Sequence, residues 1–480
     1  MVLGVRCWVL VLVSAFSVYV IFAKKLLSMG IALPNDFEAR MRGQIGADYN
    51  RFTAALEQPL PTSIRLNPHK DSTLADADDV VAWEPQGRYL AERPVFTLDP
   101  LLHAGAYYVQ EASSMFVGHV LRQIAGNEPD IRILDLCAAP GGKSTHYASL
   151  IGNGGLLVCN EVISSRVPVL SENLTKWGCP NAIVTSNDPS DFGRLTGFFD
   201  VVAVDAPCSG EGMFRRDQVA ISEWNTANTR ICAQRQQRIV ADVWDALKPG
   251  GYLIYSTCTF CPDEDENNMA WIKSTFAAEP VEISIAPDWG VTPIEKDGCT
   301  GYRFIQHLTR GEGFFCCVFR KTDGSTATSK KLKTKLSLVP KKLVQRLNEM
   351  TDGITFDYYL RNDTAIAVPQ AIATDVLTVA DNLNVRKMGT AVAHIFGDKL
   401  APEHDLALSW ALNRQAFAAV ELSQQDALRY LHRDNVFVAD APAGFNLVTF
   451  NGLPLGWIKN IGNRWNNLYP QNWKIRMNVE

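Results

Sequence analysis

The sequence predicts an α/β protein whose central domain is built on a mostly parallel β-sheet. Residues 130–321 alternate between short apolar runs, which are typical of buried strands, and stretches with apolar residues at helical spacing. Strands that alternate with helices in this way form parallel sheets with helices on both faces. The chain has 480 residues, of which 47% are hydrophobic. That length and composition allow about three domains, each with its own core.

The strands and helices of this α/β domain can be assigned in chain order. Ile239, Val240 and Val243, for example, recur at helical spacing before the turn at Gly250–Gly251. The pattern predicts strands at residues 130–136, 156–160, 182–185, 201–204, 252–256 and 314–319, and helices at residues 143–151, 170–177 and 230–247.

The rest of the chain divides where its composition changes. Residues 29–127 mix helical stretches with short apolar runs, which predicts an N-terminal α+β subdomain before an α/β domain at residues 128–321. The segment 322–338 is polar and rich in Ser, Thr and Lys, as is typical of a linker. Residues 339–422 are assigned to an intermediate domain and residues 423–480 to a last domain.

Charge and cysteine content exclude several classes of protein. The content of 47% hydrophobic and 20% charged residues excludes a wholly disordered chain, a collagen and a coiled-coil rod, and the net charge of −5 makes the chain mildly acidic. The 11 cysteines show no two-pair spacing of a structural zinc site, so we expect no metal. An odd number of cysteines spread over a long chain favours free thiols in a reducing compartment. We therefore expect a cytoplasmic protein.

An uncharged apolar run at residues 7–23 complicates that expectation. A membrane-spanning helix needs about 20 apolar residues, so the run is borderline as a membrane anchor. It also lacks a small-residue cleavage site of the A-x-A kind. The other interpretation is a start assigned upstream of Met29, which opens a globular segment. Residues 1–28 are therefore left out of the fold prediction, with a membrane anchor as the alternative.

The stretch IRILDLCAAPGGKS at residues 131–144 predicts a strand, a loop of small residues and a helix. A P-loop needs Gly where Cys137 stands, and a dinucleotide fingerprint needs Gly at Cys137 and Ala139, so both phosphate-binding motifs are excluded. Gly141 and Gly142 still let the backbone approach a ligand closely. A nucleoside cofactor without a phosphate, S-adenosylmethionine, fits such a loop.

Acidic residues stand at the ends of four successive predicted strands: Asp135, Glu161, Asp188 and Asp205. Ligands of open α/β sheets bind at the carboxyl ends of the strands. There Glu161 can accept hydrogen bonds from ribose hydroxyls, and Asp188 can meet an adenine amino group. A single aspartate is more often a turn or cap residue, but four at successive strand ends favour a cofactor site.

Cys208 and Cys258 also follow predicted strands, in DAPCSG and STCT. Such thiols suit methylation of cytosine at carbon 5, because this carbon becomes nucleophilic only after a thiolate adds to carbon 6. Asp205 is placed to protonate or hydrogen-bond the ring nitrogen and so draw electrons from carbon 6. Spacing alone leaves open which of the two thiols attacks.

Cys258 and Cys261 form a C-x-x-C, for which a redox dithiol or half a zinc site is a weaker alternative. Most cysteines in proteins act as small buried hydrophobic residues. That interpretation is applied to Cys137, Cys159, Cys179, Cys232, Cys299, Cys316 and Cys317.

Six blocks of the sequence resemble the Nop/Sun family of RNA cytosine-5 methyltransferases. They are SIRLNP at Ser63–Pro68, YYVQEASSM at Tyr107–Met115, LDLCAAPGGKS, DAPCSGEGMFRRD, YSTCTF and GYRFIQHLTRGEGFF at Gly301–Phe315. The resemblance covers about residues 33–321. GEGMF after Cys208 and the additional C-terminal region resemble the bacterial RsmF branch, which modifies small-subunit ribosomal RNA. This implies a class I S-adenosylmethionine-dependent methyltransferase fold, Rossmann-like, with an N-terminal RNA-binding subdomain.

The resemblance also implies roles for the matching residues. Cys258, in the TCT block, is the implied nucleophile, and Cys208 is implied to assist release of the covalent adduct. Asp205, placed beside the target base by the argument above, is the third predicted catalytic residue. The implied cofactor-binding residues are Cys137, Ala138, Ala139, Pro140, Gly141, Gly142, Lys143, Glu161, Asp188 and Asp205.

The carboxyl terminus combines aromatic and basic residues. Residues 452–475 resemble the PUA-like RNA-binding region of the RsmF branch, and Asn451-Gly452 predicts a hairpin turn. Residues 441–479 contain four Lys or Arg, no acidic residue and the aromatic residues Phe445, Phe450, Trp457, Trp465, Tyr469 and Trp473. Aromatic rings can stack on bases while cations meet phosphates, although about half of these rings are expected in the core.

These features predict an enzyme that transfers a methyl group from S-adenosylmethionine to carbon 5 of a cytosine in ribosomal RNA. The expected partner is ribosomal RNA or the small ribosomal subunit, and the chain is expected to be a monomer without an obligate protein partner. The alternatives are the same reaction on transfer RNA and a non-catalytic RNA-binding ribosome assembly factor. The presence of Asp205, Cys208 and Cys258 argues against the second alternative.

Overall fold

The computed structural model of the chain describes residues 31–70, 79–126, 130–152, 154–326, 336–436 and 441–479. The apolar run at residues 7–23, predicted as an anchor or a misassigned start, lies outside the described residues. Residues 327–335 of the predicted linker also lie outside them. Among the described residues, no helix combines the length and the apolar character that crossing a membrane requires.

The N-terminal region consists of helices and a small antiparallel sheet. The helices are α1 (Asn35–Ile45), α2 (Tyr49–Leu56), α3 (Pro100–His103) and α4 (Phe116–Ala125), and the strands are β1 (Thr62–Leu66), β2 (Val80–Val81), β3 (Glu84–Leu90) and β4 (Tyr107–Val109). The strand order is β2-β3-β1-β4. Helix α4 buries Phe116, Val117 and Val120 in one hydrophobic core with Ile133 and Tyr147 of the central domain. The two parts therefore share a core.

The central domain is a twisted sheet flanked by helices. Its strands are β5 (Arg132–Asp135), β6 (Leu156–Asn160), β7 (Ala182–Thr185), β8 (Phe199–Asp205), β9 (Leu247–Thr257), β10 (Ala278–Pro280), β11 (Thr292–Lys296), β12 (Cys299–Phe304) and β13 (Phe314–Lys321). The helices are α5 (Gly142–Ala148), α6 (Val167–Trp177), α7 (Gln218–Glu223), α8 (Thr226–Val243) and α9 (Glu266–Thr275).

The order β9-β8-β5-β6-β7 forms the parallel part of this sheet. Strands β13, β12 and β11 extend it antiparallel beyond β9, and β10 pairs with β13. The predicted α/β fold with a mostly parallel sheet is therefore confirmed. All five parallel strands end at the same edge, so residues that follow them in the chain lie close together.

The observed elements differ from the predicted ones mainly at their ends. The strands at residues 156–160 and 182–185 have the predicted bounds. The helix predicted at residues 230–247 already begins at Thr226, because the side chain of Asn225 caps it by accepting the backbone N–H of Asn228 at 2.8 Å. The strand predicted at residues 252–256 is longer and spans Leu247–Thr257.

The C-terminal third forms two further sheets. Its strands are β14 (Ser337–Leu338), β15 (Phe356–Arg361), β16 (Thr364–Pro369), β17 (Val385–Met388), β18 (Thr390–Phe396), β19 (Lys399–Pro402), β20 (Ala418–Glu421), β21 (Gly444–Phe450), β22 (Leu453–Asn460) and β23 (Trp465–Asn467). The helices are α10 (Lys341–Met350), α11 (Ala373–Asn382), α12 (His404–Leu408) and α13 (Gln424–His432). The sheet orders are β14-β15-β16-β18-β19 and β20-β21-β22-β23.

Strand β17 departs from this arrangement, because it pairs antiparallel with β7 and so extends the central sheet. Its sequence, VRKM, has neither the alternation nor the apolar content that indicated the other strands. The segment predicted as an intermediate domain thus supplies one of the two outer strands of the central sheet.

The last sheet packs against the N-terminal region. Tyr430, Leu431 and Leu455 share one hydrophobic core with Ile64 and Leu66 of β1. The hydroxyl of Tyr469 donates a hydrogen bond to Nδ1 of His103 at 3.3 Å across this contact.

The predicted hairpin is present, since Asn451 and Gly452 both have positive φ (49° and 71°) between β21 and β22. Of the six aromatic residues singled out in this region, Trp457 and Tyr469 are core residues at 1% exposure each, and the others are partly exposed.

Candidate active site

The predicted site residues meet at the carboxyl edge of the parallel strands. Asp135 ends β5, Asp205 ends β8, Glu161 follows β6 and Cys258 follows β9. The register aligns Asp135 with Ala203, and Asp205 with Ser256. Residues that are up to 123 positions apart in sequence (Asp135 to Cys258) are thereby brought to one edge.

Two side chains, those of Arg166 and Asn173, hold the loop between β5 and α5 by hydrogen bonds to its backbone carbonyls. The Arg166 guanidinium donates to the carbonyl of Ala139 at 2.5 Å, and the Asn173 amide donates to the carbonyl of Pro140 at 2.8 Å. Gly141 precedes α5 with φ of 112°, a backbone conformation that favours glycine. A Cβ at Gly141 would also lie 3.3 Å from Cδ1 of Leu170. The loop is therefore fixed in a shape that depends on Gly141.

Asp135 is a buried carboxyl group behind this loop. It is 1% exposed, and the hydroxyl of Ser144 donates to its Oδ2 at 2.6 Å. Burial raises the pKa of Asp135 to about 7, although the Ser144 hydrogen bond acts in the opposite direction. Cys137 follows on the loop, and burial together with the carboxylates of Asp135 and Asp205 raises the pKa of its thiol. Cys137 therefore stays protonated.

Lys143 and Asp205 form an ion pair on the site side of the sheet edge. Nζ of Lys143 lies 2.8 Å from Oδ2 of Asp205, and the hydroxyl of Ser256 donates to Oδ1 of Asp205 at 2.9 Å. Burial acts to lower the pKa of Lys143, but the Asp205 carboxylate and Cys258 raise it above its ordinary value. Lys143 is therefore a fixed ammonium group beside Asp205.

Glu161 and Asp188 differ in their surroundings. Glu161 is 3% exposed; its Oε1 accepts the backbone N–H of Ile163 at 2.8 Å, and its Oε2 lies 3.3 Å from Arg166. The Asp188 side chain is 49% exposed and caps a short 3₁₀ helix by accepting the backbone N–H and the hydroxyl of Ser190. These Ser190 hydrogen bonds lower the pKa of Asp188.

The two predicted thiols are in direct contact. Sγ of Cys208 lies 3.1 Å from Sγ of Cys258, and the backbone N–H of Cys258 donates to Sγ of Cys208 at 3.3 Å. The pKa of the Cys208 thiol is raised well above its ordinary value, because it is hydrogen-bonded to Cys258 and buried. The two sulfur atoms are therefore within hydrogen-bonding distance, and this contact and burial disfavour the Cys208 thiolate.

The donor set at the sheet edge suits S-adenosylmethionine. Four carboxyl groups, those of Asp135, Glu161, Asp188 and Asp205, stand at or just after the ends of successive strands, and the loop before α5 is not a phosphate-binding motif. Carboxylates match the ribose hydroxyls, the amino groups and the positive sulfur of this cofactor, whereas they would repel a nucleotide phosphate.

A buried acidic cluster lies behind the thiols. Ligand atoms of Glu211, Cys261 and Glu264 lie within 4.8 Å of one another. The carboxylate of Glu211, however, already accepts hydrogen bonds from the Arg40 guanidinium at 2.5 Å and the Trp224 indole N–H at 2.8 Å. The Glu211 carboxylate is therefore already paired with a cation, and Cys258 and Cys261 are both free thiols.

Two residues near the thiols were missed by the sequence prediction, namely Ser256 and Glu264. Ser256 could have been found, because it precedes Thr257 at the end of the strand that leads to Cys258. Glu264 gave no comparable signal, since it stands in an acidic turn, PDEDEN, whose residues are usually exposed. In the structure it is 0% exposed.

Comparison with known proteins identifies the family. Residues 123–320 match the model described as 16S rRNA methyltransferase RsmB/F, residues 33–112 that of the N-terminal domain of 16S rRNA methyltransferase RsmF, and residues 417–475 that of the methyltransferase RsmF PUA domain.

Relatives match over most of their length. Ribosomal RNA small subunit methyltransferase F of Klebsiella pneumoniae (strain 342) is 31% identical over 476 residues, covering 92% of this chain and 96% of the relative. The protein of the same name from Escherichia coli O81 (strain ED1a) is 31% identical over 472 residues, with the same shares covered.

Two solved structures share the fold. A methyltransferase homolog from Pyrococcus horikoshii has a TM-score of 0.53 and 27% identity, covering 61% of this chain and 96% of that one. NSun6 from Pyrococcus horikoshii has a TM-score of 0.52 at 19% identity and covers 61% of this chain and all of that one, which shows the fold alone. The predicted class I fold, S-adenosylmethionine dependence and family are confirmed. The chain belongs to the RsmF family of S-adenosylmethionine-dependent ribosomal RNA methyltransferases.

Proposed function

We propose that this chain methylates carbon 5 of a cytosine in small-subunit ribosomal RNA through a covalent bond between Cys258 and carbon 6 of the base. The contact of the Cys208 and Cys258 sulfur atoms at 3.1 Å carries the proposal, because it places two thiols together at the sheet edge where Asp205 ends its strand. The family membership given above supports the ribosomal substrate.

Cys258 is the proposed nucleophile. Thiolates, not thiols, attack carbon, and the raised pKa of Cys208 disfavours its thiolate, so Cys258 is the better candidate. The Cys208 thiol has a raised pKa and lies 3.1 Å from the Cys258 sulfur, which suits a group that transfers a proton later in the reaction. Cys208 is the proposed group for release of the product.

Asp205 and Lys143 are proposed to activate the base. Addition of sulfur to carbon 6 places negative charge on the pyrimidine ring, and a proton held at ring nitrogen 3 would offset it. The ion pair of Lys143 with Asp205, 2.8 Å long, keeps such a proton at the sheet edge, while Ser256 fixes the other carboxylate oxygen. This arrangement supports a catalytic role for Asp205, with Lys143 beside it.

The cofactor is proposed to lie along the loop from Cys137 to Lys143, with Glu161 at its ribose and Asp188 at its adenine. Asp205 adjoins both this loop and the thiols. Glu161 is buried and held by Ile163 and Arg166, which supports its role. The Asp188 side chain is 49% exposed, so the amino group of a purine can reach it from the solvent side, beside Arg238 at 4.0 Å. When bound, S-adenosylmethionine supplies an electrophilic methyl group on a positive sulfur.

The proposed sequence has four steps. The Cys258 thiolate adds to carbon 6, and ring nitrogen 3 gains a proton from the Lys143–Asp205 pair. Carbon 5 would then bond to the methyl carbon while the bond between that carbon and the cofactor sulfur breaks. Cys208 is proposed to take the proton left on carbon 5 while its own thiol proton passes to the sulfur of Cys258. The bond between carbon 6 and Cys258 then breaks with its electron pair on sulfur, and the proton on nitrogen 3 returns to the Lys143–Asp205 pair.

The target cytosine must leave its base stack to reach thiols at a sheet edge, so we propose a single-stranded or splayed-out base. The small ribosomal subunit or its RNA is the proposed partner, and the chain is proposed to act as a monomer in the cytoplasm.

We further propose that the chain is divided into regions at residues 29–127, 128–321, 322–338, 339–422 and 423–480. The last of these, the PUA-like region, is proposed to contact the RNA. Strand β17 shows that the intermediate segment is not independent of the central sheet.

Bisulfite sequencing of ribosomal and transfer RNA from a deletion strain tests the substrate. We expect one small-subunit cytosine to lose its methyl group and to regain it when the wild-type gene, but not Cys258→Ala, is supplied. Loss of a methyl group in transfer RNA alone would contradict the ribosomal assignment.

A further inference from the structure

Two buried side chains hold the loop that carries Cys208. Nε2 of Gln236, on helix α8, donates a hydrogen bond to the carbonyl of Pro207 at 3.1 Å. The backbone N–H of Ser209 donates to Oε2 of Glu264 at 2.9 Å. The residues on both sides of Cys208 are therefore tied to the protein interior.

These two side chains also bind each other and form a closed network. Nε2 of Gln236 donates to Oε2 of Glu264 at 2.9 Å, and Oε1 of Gln236 accepts from Tyr255 at 2.9 Å and from Asn268 at 2.8 Å. Gln236, Tyr255 and Glu264 are 0% exposed and Asn268 is 1% exposed. A buried network of this kind is rigid, because its members have no water to replace a broken bond.

From this geometry we propose that Glu264, together with Gln236, is a positioning residue for the release step of the reaction. By holding Pro207 and Ser209 it keeps the Cys208 sulfur against Cys258, where release of the adduct requires it. The inference rests on the proposed role of Cys208 in release and adds that Glu264 acts through Cys208.

The charge of Glu264 supports this role. Its Oε1 is buried and has no hydrogen-bond partner among the described residues. Burial raises the pKa of Glu264 to about 7, even though Ser209 and Gln236 act to lower it. Its charge in turn contributes to the raised pKa of Cys208, after the Cys258 hydrogen bond and burial. A glutamate that only held the loop would leave the pKa of the Cys208 thiol unchanged on replacement by glutamine, so the titration of Cys208 separates the two roles.

The first test compares Glu264→Ala with Glu264→Gln in formation of a protein–RNA adduct on denaturing gels. Glu264→Ala releases Ser209, so we expect turnover to fall about 10- to 100-fold, as for a misplaced group, and the adduct to accumulate as in Cys208→Ala. Glu264→Gln keeps an oxygen that accepts the Ser209 N–H, so its adduct should stay near the wild-type level.

Glu84→Ala is the matched control. Glu84 is another buried glutamate, 2% exposed, hydrogen-bonded to His146 and Arg122 away from the thiols. It should lower thermal stability without accumulating adduct. Adduct accumulation by Glu84→Ala, or none by folded Glu264→Ala, would overturn the inference. If Glu264→Ala does not fold, Gln236→Met decides in its place, because it removes the bond to Pro207 at similar volume and should accumulate adduct.

The second test needs no RNA. In a Cys258→Ala background, Glu264→Gln should shift the pH profile for alkylation of Cys208 to lower pH, because removal of the negative charge lowers the pKa of the thiol. An unchanged profile would contradict the coupling of Glu264 to Cys208. If Cys208→Ala itself forms no adduct, the proposed release role of Cys208 is wrong. If Cys208→Ala accumulates adduct but Glu264→Ala does not, only the positioning role of Glu264 is wrong.

Discussion

The ammonium group of Lys143 lies 2.8 Å from Oδ2 of Asp205, at the point where the cofactor loop meets the two thiols. This pair connects the two halves of the proposed site, because Lys143 lies in the first turn of helix α5 whereas Asp205 ends strand β8. The interaction raises the pKa of Lys143, so the lysine stays charged at neutral pH.

The first prediction follows from that pair. Lys143→Met keeps the aliphatic stem but removes the proton donor beside Asp205, so turnover should fall about 10²- to 10⁴-fold, the usual contribution of a positioned acid. The control is Lys248→Met, which breaks a similar ion pair with Asp200 (2.5 Å) near the amino end of the same strand, β8. Methyl transfer measured on RNA under saturating cofactor checks the prediction, and equal rates for both variants would contradict it.

The second prediction concerns the cofactor. Glu161→Ala should weaken S-adenosylmethionine binding by about 1–3 kcal/mol, the cost of one lost hydrogen bond to a charged group. Calorimetry with the cofactor measures the change. Glu172→Ala, which removes a carboxylate paired with Lys176 on helix α6, should leave the affinity unaltered. Equal affinity of wild type and Glu161→Ala would remove Glu161 from the site.

The third prediction is a pH dependence of stability. The pKa of Asp135 is about 7 in the folded protein but near 3.8 when unfolded, so between these values the folded state holds a proton that the unfolded state has lost. The free energy of unfolding that Asp135 contributes is therefore fully present below pH 3.8 and is lost as the pH rises through about 7. The Asp135→Asn variant has no ionisable carboxyl group at this position, so its stability lacks this dependence on pH.

Denaturant unfolding of wild type and Asp135→Asn at pH 5 and pH 8 tests whether the free energy of unfolding falls with rising pH as predicted. The variant should gain stability relative to wild type at the higher pH, by on the order of a few kcal/mol, since one pKa unit corresponds to about 1.4 kcal/mol. A constant difference between the two proteins at both pH values would contradict the buried, protonated Asp135.

Much of the site could be predicted because it follows the strand order. Asp135, Asp205 and Cys258 stand at strand ends, and parallel strands bring such residues together whatever their separation in sequence. The small-residue loop indicated close backbone approach, and Gly141 indeed has φ of 112°. These are local signals, which a single sequence carries.

Other features depend on tertiary contacts that no local pattern records. Strand β17 is held by pairing with β7, some 200 residues earlier in the chain, and not by its own composition. Glu264 is buried because Ser209 and Gln236 bond to it, although its acidic turn resembles an exposed one. Asp188 lies three residues beyond the end of β7 and not at the strand end itself.

The last prediction separates the roles of the two thiols. Cys208→Ala keeps the nucleophile but lacks the group proposed for release, and blocking a late step of covalent catalysis traps the intermediate. Cys258→Ala lacks the nucleophile and cannot form the bond to carbon 6. Both variants keep the backbone of the sheet edge, so cofactor binding serves as the control for folding.

Denaturing electrophoresis of each variant with substrate RNA is the most direct test of the central claim, that Cys258 attacks and Cys208 releases. The account predicts a protein–RNA adduct with Cys208→Ala that disappears when Cys258 is also replaced, and no adduct with Cys258→Ala. An adduct with Cys258→Ala and none with Cys208→Ala would contradict it and reverse the two roles.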